Sequence, residues 1–189
     1  MRETGIVRKI DSLGRIVIPK EVRRTLRIME GTPLEIFVEK GGEIVLKKYS
    51  PVSWLESLVK EYADSLAKTS GHIVCVADKS EIIAVSGNKE EGFTEKYISS
   101  ALEEAITAGT VLISDRTREN FVPILEEEYD NANKDLYASL YSAEIIVPIV
   151  SEEEILGAVV FLSSQKKMGE IEEKLAQVGA EFLGRQMAV

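Results

Sequence analysis

Apolar positions recur along the chain with two alternating periods, and each change of period marks an element. In GIVRKI (5–10) and GRIVI (14–18), β-branched residues stand on either side of the turn-forming Asp11-Ser12-Leu13-Gly14, which predicts two short strands. Pro19 suits the first position of a helix, where its missing N–H costs nothing. That helix, over 19–27, sets Val22 and Leu26 four apart on one face and Arg23, Arg24 and Arg27 on the others. LEIFVE (34–39) and EIVLKK (43–48) then alternate as strands around Lys40-Gly41-Gly42, whose glycines supply the positive φ of a tight hairpin. Leu34, Ile36 and Val38 share one strand face.

After Ser50-Pro51 the period becomes helical. Ser53 with Glu56 fits a capping box, and Leu55, Leu58, Val59, Tyr62 and Leu66 follow at helical spacing until Thr69-Ser70-Gly71 ends the run. Strands are expected at 72–78 and 81–87, a helix at 94–108 closed by Gly109, and a strand at 111–114. A polar, uneven stretch from Asp115 to Leu140 leads to two strongly apolar strands, 143–150 and 155–163. The last helix, 169–187, carries Ile171, Leu175, Val178 and Phe182 on one stripe. Helices enclosing an antiparallel sheet describe an α+β tail. The expected domains are 1–50 and 51–189.

Fifty residues bury too little surface to be secure alone without a metal, a disulfide or a partner. One cysteine, Cys75, and one histidine, His72, among 189 residues leave neither staple available. The head therefore needs a second copy of itself. The same scarcity argues against thiol, triad and zinc chemistry, so no catalytic residue, metal or cofactor is expected. Cys75, in an apolar strand, reads as a buried inert thiol. The run Glu126-Glu127-Glu128 reads as solvated. No apolar stretch approaches eighteen residues, and the first residues lack a secretion signal, which predicts a cytoplasmic protein.

Charge separates the two parts. Residues 1–50 hold eleven Lys/Arg against seven Asp/Glu, a net +4, whereas the remaining 139 hold twelve against twenty-five, a net −13. A basic end on an acidic chain points to a polyanion partner. Arg8 interrupts an apolar strand, Arg15 follows a turn glycine, and Arg23 and Arg24 project from a short helix, so four long cations cluster in the head.

These residues carry a family resemblance. IVRKIDSLGRIVIPKEVRRTLRI (6–28), with its GRIVIP core and paired arginines, closely resembles the N-terminal DNA-binding domain of the AbrB family of bacterial transition-state regulators. The resemblance implies a swapped-hairpin β-barrel built from two chains. It also implies double-stranded DNA as partner, contacted by Arg8, Arg15, Arg23 and Arg24, with Lys9 fitting the same patch more loosely. Residues 51–189 resemble a GAF domain, an α+β module with flanking helices that binds small molecules in bacterial regulators. In such domains the pocket lies between the sheet and the segment connecting the later strands, here Asp115–Leu140. Arg116, Arg118, Tyr129 and Tyr137 are candidates to face it, and spacing selects none as a site. Head and tail joined through EIVLKKYSPV resemble the sporulation regulators of the family, which act on late forespore genes as activators and repressors.

The apolar stripes of the connector and final helices predict pairing of tails as a four-helix bundle, and hence a homotetramer with two dimeric heads. A reading from another class is the antitoxin half of a toxin–antitoxin pair, whose members share the swapped-hairpin head. Antitoxins usually end in a short disordered tail, whereas residues 51–189 are periodic enough to fold.

Overall fold

The computed structural model describes residues 5–94, 96–164 and 168–187, apart from the side chains of Ser53 and Trp54. The chain divides into two compact units at Tyr49 and Ser50.

In the first unit, residues 5–10 and 15–19 join no sheet among the described residues, in place of the two strands expected, and all are exposed but the half-buried Ile18 and Pro19. A strand needs a neighbouring strand for its ladder, and among the described residues none lies beside these segments. Helix α1 (Lys20–Thr25) follows with Pro19 as its N-cap, not its first residue, and Leu26 closes it. Arg27 then adopts φ 51°, a left-handed exit. Strands β1 (Leu34–Val38) and β2 (Ile44–Lys48) form an antiparallel hairpin with Ile36 opposite Leu46 and Val38 opposite Ile44. Gly42, at φ 83°, supplies the turn alone, and Gly41 does not share the positive φ expected of both. None of residues 5–49 is buried, and Ile36 (66% exposed) and Val38 (76%) leave the apolar face of the hairpin bare.

The second unit is a five-stranded antiparallel sheet, ordered β4-β3-β7-β6-β5, between two helical layers. Its strands are β3 (Ile73–Asp78), β4 (Ile82–Ser86), β5 (Leu112–Asp115), β6 (Ala143–Ser151) and β7 (Glu154–Ser163). The chain enters through α2 (Pro51–Trp54), breaks at Leu55, and continues as α3 (Glu56–Ser70). Leu55 is the N-cap of α3, with no side-chain bond, so the Ser53–Glu56 capping box is not how that helix starts. Val59, Ala63 and Leu66 of α3 pack on one sheet face together with Ala176, Ala180 and Leu183 of the final helix, α6 (Glu170–Gln186). A Cβ at Gly184 would lie 2.2 Å from the Val150 carbonyl oxygen, so only glycine admits this close approach of α6 to β6.

The opposite face is covered by α4 (Ser100–Thr107), the segment 116–133 and α5 (Lys134–Leu140), around Phe93, Leu102, Tyr137 and Tyr141. Helix α4 starts six residues later than expected. Tyr97 and Ile98 are drawn into bridges with Glu81 and Leu125, and the Ser99 hydroxyl caps the helix by accepting from the Leu102 amide at 2.9 Å. Among the described residues, no helix is long and apolar enough to cross a membrane.

Candidate nucleic-acid interface and sensor core

The basic residues of the head are presented by a turn and a short helix. Asp11 organises the turn: one carboxylate oxygen accepts from the amides of Leu13 (2.9 Å) and Arg15 (2.8 Å), while the other meets Arg15 Nε at 2.8 Å. The Gly14 amide closes the loop onto the Asp11 carbonyl at 3.0 Å, and φ 77° at Gly14 allows it. The Arg15 amide and guanidinium hold the Asp11 carboxyl below the usual carboxylate range. Arg15 itself stays 71% exposed at its side chain. Sequence reading named Asp11 only as a turn former, and the Asp-x-x-Gly-Arg spacing was the available signal for its grip on the arginine.

Arg23 is half-buried against the head, with Nε donating to the Ile18 carbonyl at 3.2 Å. Arg8, Lys9 and Arg24 are exposed. Among the described residues, Arg15 is the one of the five in an ion pair. Arg8 and Lys9 lie on the arm before the turn, Arg15 just after it, and Arg23 and Arg24 on α1.

The core of the tail holds a polar network that the sequence did not announce. Glu128 is buried, which corrects the reading of Glu126–Glu128 as a solvated run. Its carboxylate accepts from the amides of Ile124 (2.9 Å) and Leu125 (3.0 Å) and from the Tyr141 hydroxyl (2.8 Å), and pairs with an Arg116 nitrogen at 3.5 Å. Arg116 also donates Nε–H to the Tyr141 carbonyl at 2.9 Å and lies over the rings of Phe121 and Tyr141. Glu127 bonds Lys96 and Tyr137, which together hold its carboxyl low. Of the four candidates to face a pocket, Arg116 and Tyr137 turn into this core. Arg118 (61% exposed) pairs with Asp115 and lines a small open cavity with Ser114 and Glu144, whereas Tyr129 is exposed.

Cys75 is fully enclosed, and burial pushes its thiol well up, which suits packing and not nucleophilic attack. His72 is buried with Nε2 3.8 Å from a Glu172 oxygen. On α6, Ile171 (73% exposed) and Val178 (58%) form an apolar strip on the side away from the sheet.

With this geometry in view, comparison with known proteins is direct. The family described as stage V sporulation protein T C-terminal, transcription factor, matches residues 55–188. The family described as antidote-toxin recognition MazE, bacterial antitoxin, matches residues 7–54. Stage V sporulation protein T of Bacillus subtilis (strain 168) is 45% identical over 188 residues, covering 99% of both chains. Transition state regulatory protein AbrB of the same organism is 45% identical over 83 residues, covering 44% of this chain and 85% of its own. The GAF domain of an Acinetobacter phosphoenolpyruvate-protein phosphotransferase superposes on 75% of this chain and 84% of its own at a TM-score of 0.55 and 12% identity, which establishes a GAF-like fold for the tail. An AbrB-like head and a GAF-like tail, matched end to end by one relative, place this chain in the stage V sporulation protein T family.

Proposed function

We propose that the chain is a DNA-binding transcription regulator of late forespore genes in spore formation, acting as activator and repressor at the forespore nucleoid. The observation that carries this reading is the similarity of both parts at once, 45% identity running through 99% of the chain to stage V sporulation protein T. The antitoxin reading fits the head alone. It is disfavoured by a tail that matches a transcription-factor family over 55–188 and folds around its own core.

Arg8, Lys9, Arg15, Arg23 and Arg24 carry the DNA contacts in this reading. Two heads interleave so that the segments 5–10 and 15–19 and the bare face of the β1–β2 hairpin become one barrel core. What supports the dimer is that none of residues 5–49 is buried in a single chain. The α6 strip at Ile171 and Val178 pairs tail with tail, giving a tetramer with two DNA-binding heads. The domains are assigned as 1–50 for DNA binding and 51–189 for sensing and oligomerisation, with a small-molecule effector on the tail and no enzymatic step.

The test is twofold. The full chain should shift A·T-rich duplex DNA in a gel, and it should restore late sporulation gene expression in Bacillus subtilis lacking its own stage V sporulation protein T. DNA binding without restoration would confine the reading to a general DNA-binding protein. Absence of both would overturn it.

A further inference from the structure

Glu144 stands on β6 and is buried, with the apolar core on one side and a small cavity lined by Ser114, Asp115 and Arg118 on the other. One carboxyl oxygen, Oε1, accepts from the Val122 amide at 2.7 Å. Among the described residues, the other, Oε2, is the one buried side-chain nitrogen or oxygen atom with no hydrogen-bond partner. An enclosed carboxylate with an unanswered oxygen is costly as an anion and far cheaper as a neutral acid.

The Val122 amide belongs to the stretch that Glu128 holds two and three residues further on, at Ile124 and Leu125. Two carboxyl groups thus grip successive amides of one segment, while the Arg116 guanidinium pairs with Glu128 and attracts Glu144 only through space. The titratable and charged groups facing Glu144 are Arg116 and Glu128 from the segment, Tyr141 from the turn before β6, and the Asp115–Arg118 ion pair, which shares a cavity wall with it at the end of β5. Strand β5 sets the neutral Ser114 opposite it in register, and α4 contributes Leu102 and Ile106 to the same core.

We propose that Glu144 is the proton-operated half of a latch that docks residues 121–125 on the sheet. Protonated, it holds the Val122 amide beside the Glu128 network. Ionised, it sets a second negative charge beside Glu128 against one cation, and the segment lets go. Release travels to α4, because the Ser99 hydroxyl that caps this helix donates to the Pro123 carbonyl and the Ser99 amide donates to the Ile124 carbonyl at 2.9 Å. The proton therefore controls a helix terminus of the tail as well as a loop.

Burial raises the Glu144 carboxyl, the Val122 amide and Arg116 draw it back, and Glu128 adds to the rise, leaving it at about 8 against an ordinary 4.5. The docked state holds a proton that the released state gives up, so docking is fully favoured below 4.5 and weakens as pH climbs through 8.

The experiment is amide hydrogen exchange on the full chain, expressed as protection factors for Val122, Ile124 and Leu125 between about pH 6.5 and about pH 9. Protection in the wild type should fall on the order of thirty-fold across this range. In Glu144→Gln, which stays neutral and keeps an acceptor for Val122, it should remain flat while β3 and β7 amides stay protected. An equal fall in Glu144→Gln, or no fall in the wild type, overturns the latch. If Glu144→Gln does not fold, Arg116→Gln decides: loss of the cation should move the wild-type midpoint to higher pH, and an unmoved midpoint overturns the proposal.

Discussion

Tyr62 and Phe182 stack with ring centroids 4.6 Å apart and planes 15° from parallel, joining α3 to α6 across the outer layer of the tail. The contact divides the apolar stripe of α6 into two functions. Phe182 belongs to the fold of its own chain, whereas Ile171 and Val178 remain open.

A charged residue at the open positions therefore tests assembly without disturbing the tail. Val178→Glu should sediment as two chains where the wild type sediments as four, with unchanged far-ultraviolet circular dichroism. A wild type that is dimeric at working concentration would end the tetramer proposal.

DNA affinity should fall steeply with salt. If the heads pair and bind as proposed, Arg8, Arg15, Arg23 and Arg24 are offered twice, and about eight phosphate contacts imply a log–log slope of about −7. Arg24→Ala is the cleanest probe, since Arg24 is exposed on α1, and it should weaken binding severalfold while reducing the slope. Arg15→Ala should cost more, because it removes the contact and loosens the Asp11 turn. A modest preference for A·T-rich duplexes is expected from shape readout.

The turn itself should be acid-sensitive. The Asp11 carboxyl sits below its ordinary 3.8, so its grip on Arg15 is present above that value and is lost as pH falls through the lower, folded value. The Leu13 and Arg15 amide resonances should stay constant between about pH 5 and about pH 8 and move in acid, and Asp11→Asn should abolish that movement.

Close packing of α6 gives a stability prediction. Gly184→Ala places a methyl 2.2 Å from the Val150 carbonyl oxygen, and the helix must shift to admit it. Thermal denaturation should report a loss of about 1–3 kcal/mol. Gly41→Ala meets open space at ordinary φ and should be nearly neutral.

Much of the tail was legible because its signals are local and strong. AEIIVPIV and ILGAVVFLS are long apolar runs around a polar turn, and they form β6 and β7 at nearly the expected bounds. The onset of α4 was missed because Tyr97 and Ile98 answer to bridging partners at Glu81 and Leu125, far away in sequence. Glu128 and Glu144 were illegible for the same reason. A carboxylate reads as solvated until Arg116, Tyr141 and the amides of 122–125 are known to surround it. In the head, the alternating segments 5–10 and 14–18 were read as strands, yet one chain supplies no ladder for them. Their alternating pattern is the one the proposed two-chain barrel would use.

If the bare underside of the β1–β2 hairpin is covered by a second head as proposed, copy number itself becomes a regulatory variable. A head whose apolar side chains stay wetted in isolation gains little by ordering until a second chain arrives, so in a dilute cell the reading surface scarcely exists. Doubling the number of chains then roughly quadruples the number of competent heads, and promoter occupancy rises more sharply than synthesis does. If the tails associate as proposed, they shift this threshold by holding heads near one another. Under that proposal, a signal that loosens or tightens the tails would set the dose at which the genes respond, without touching a single arginine.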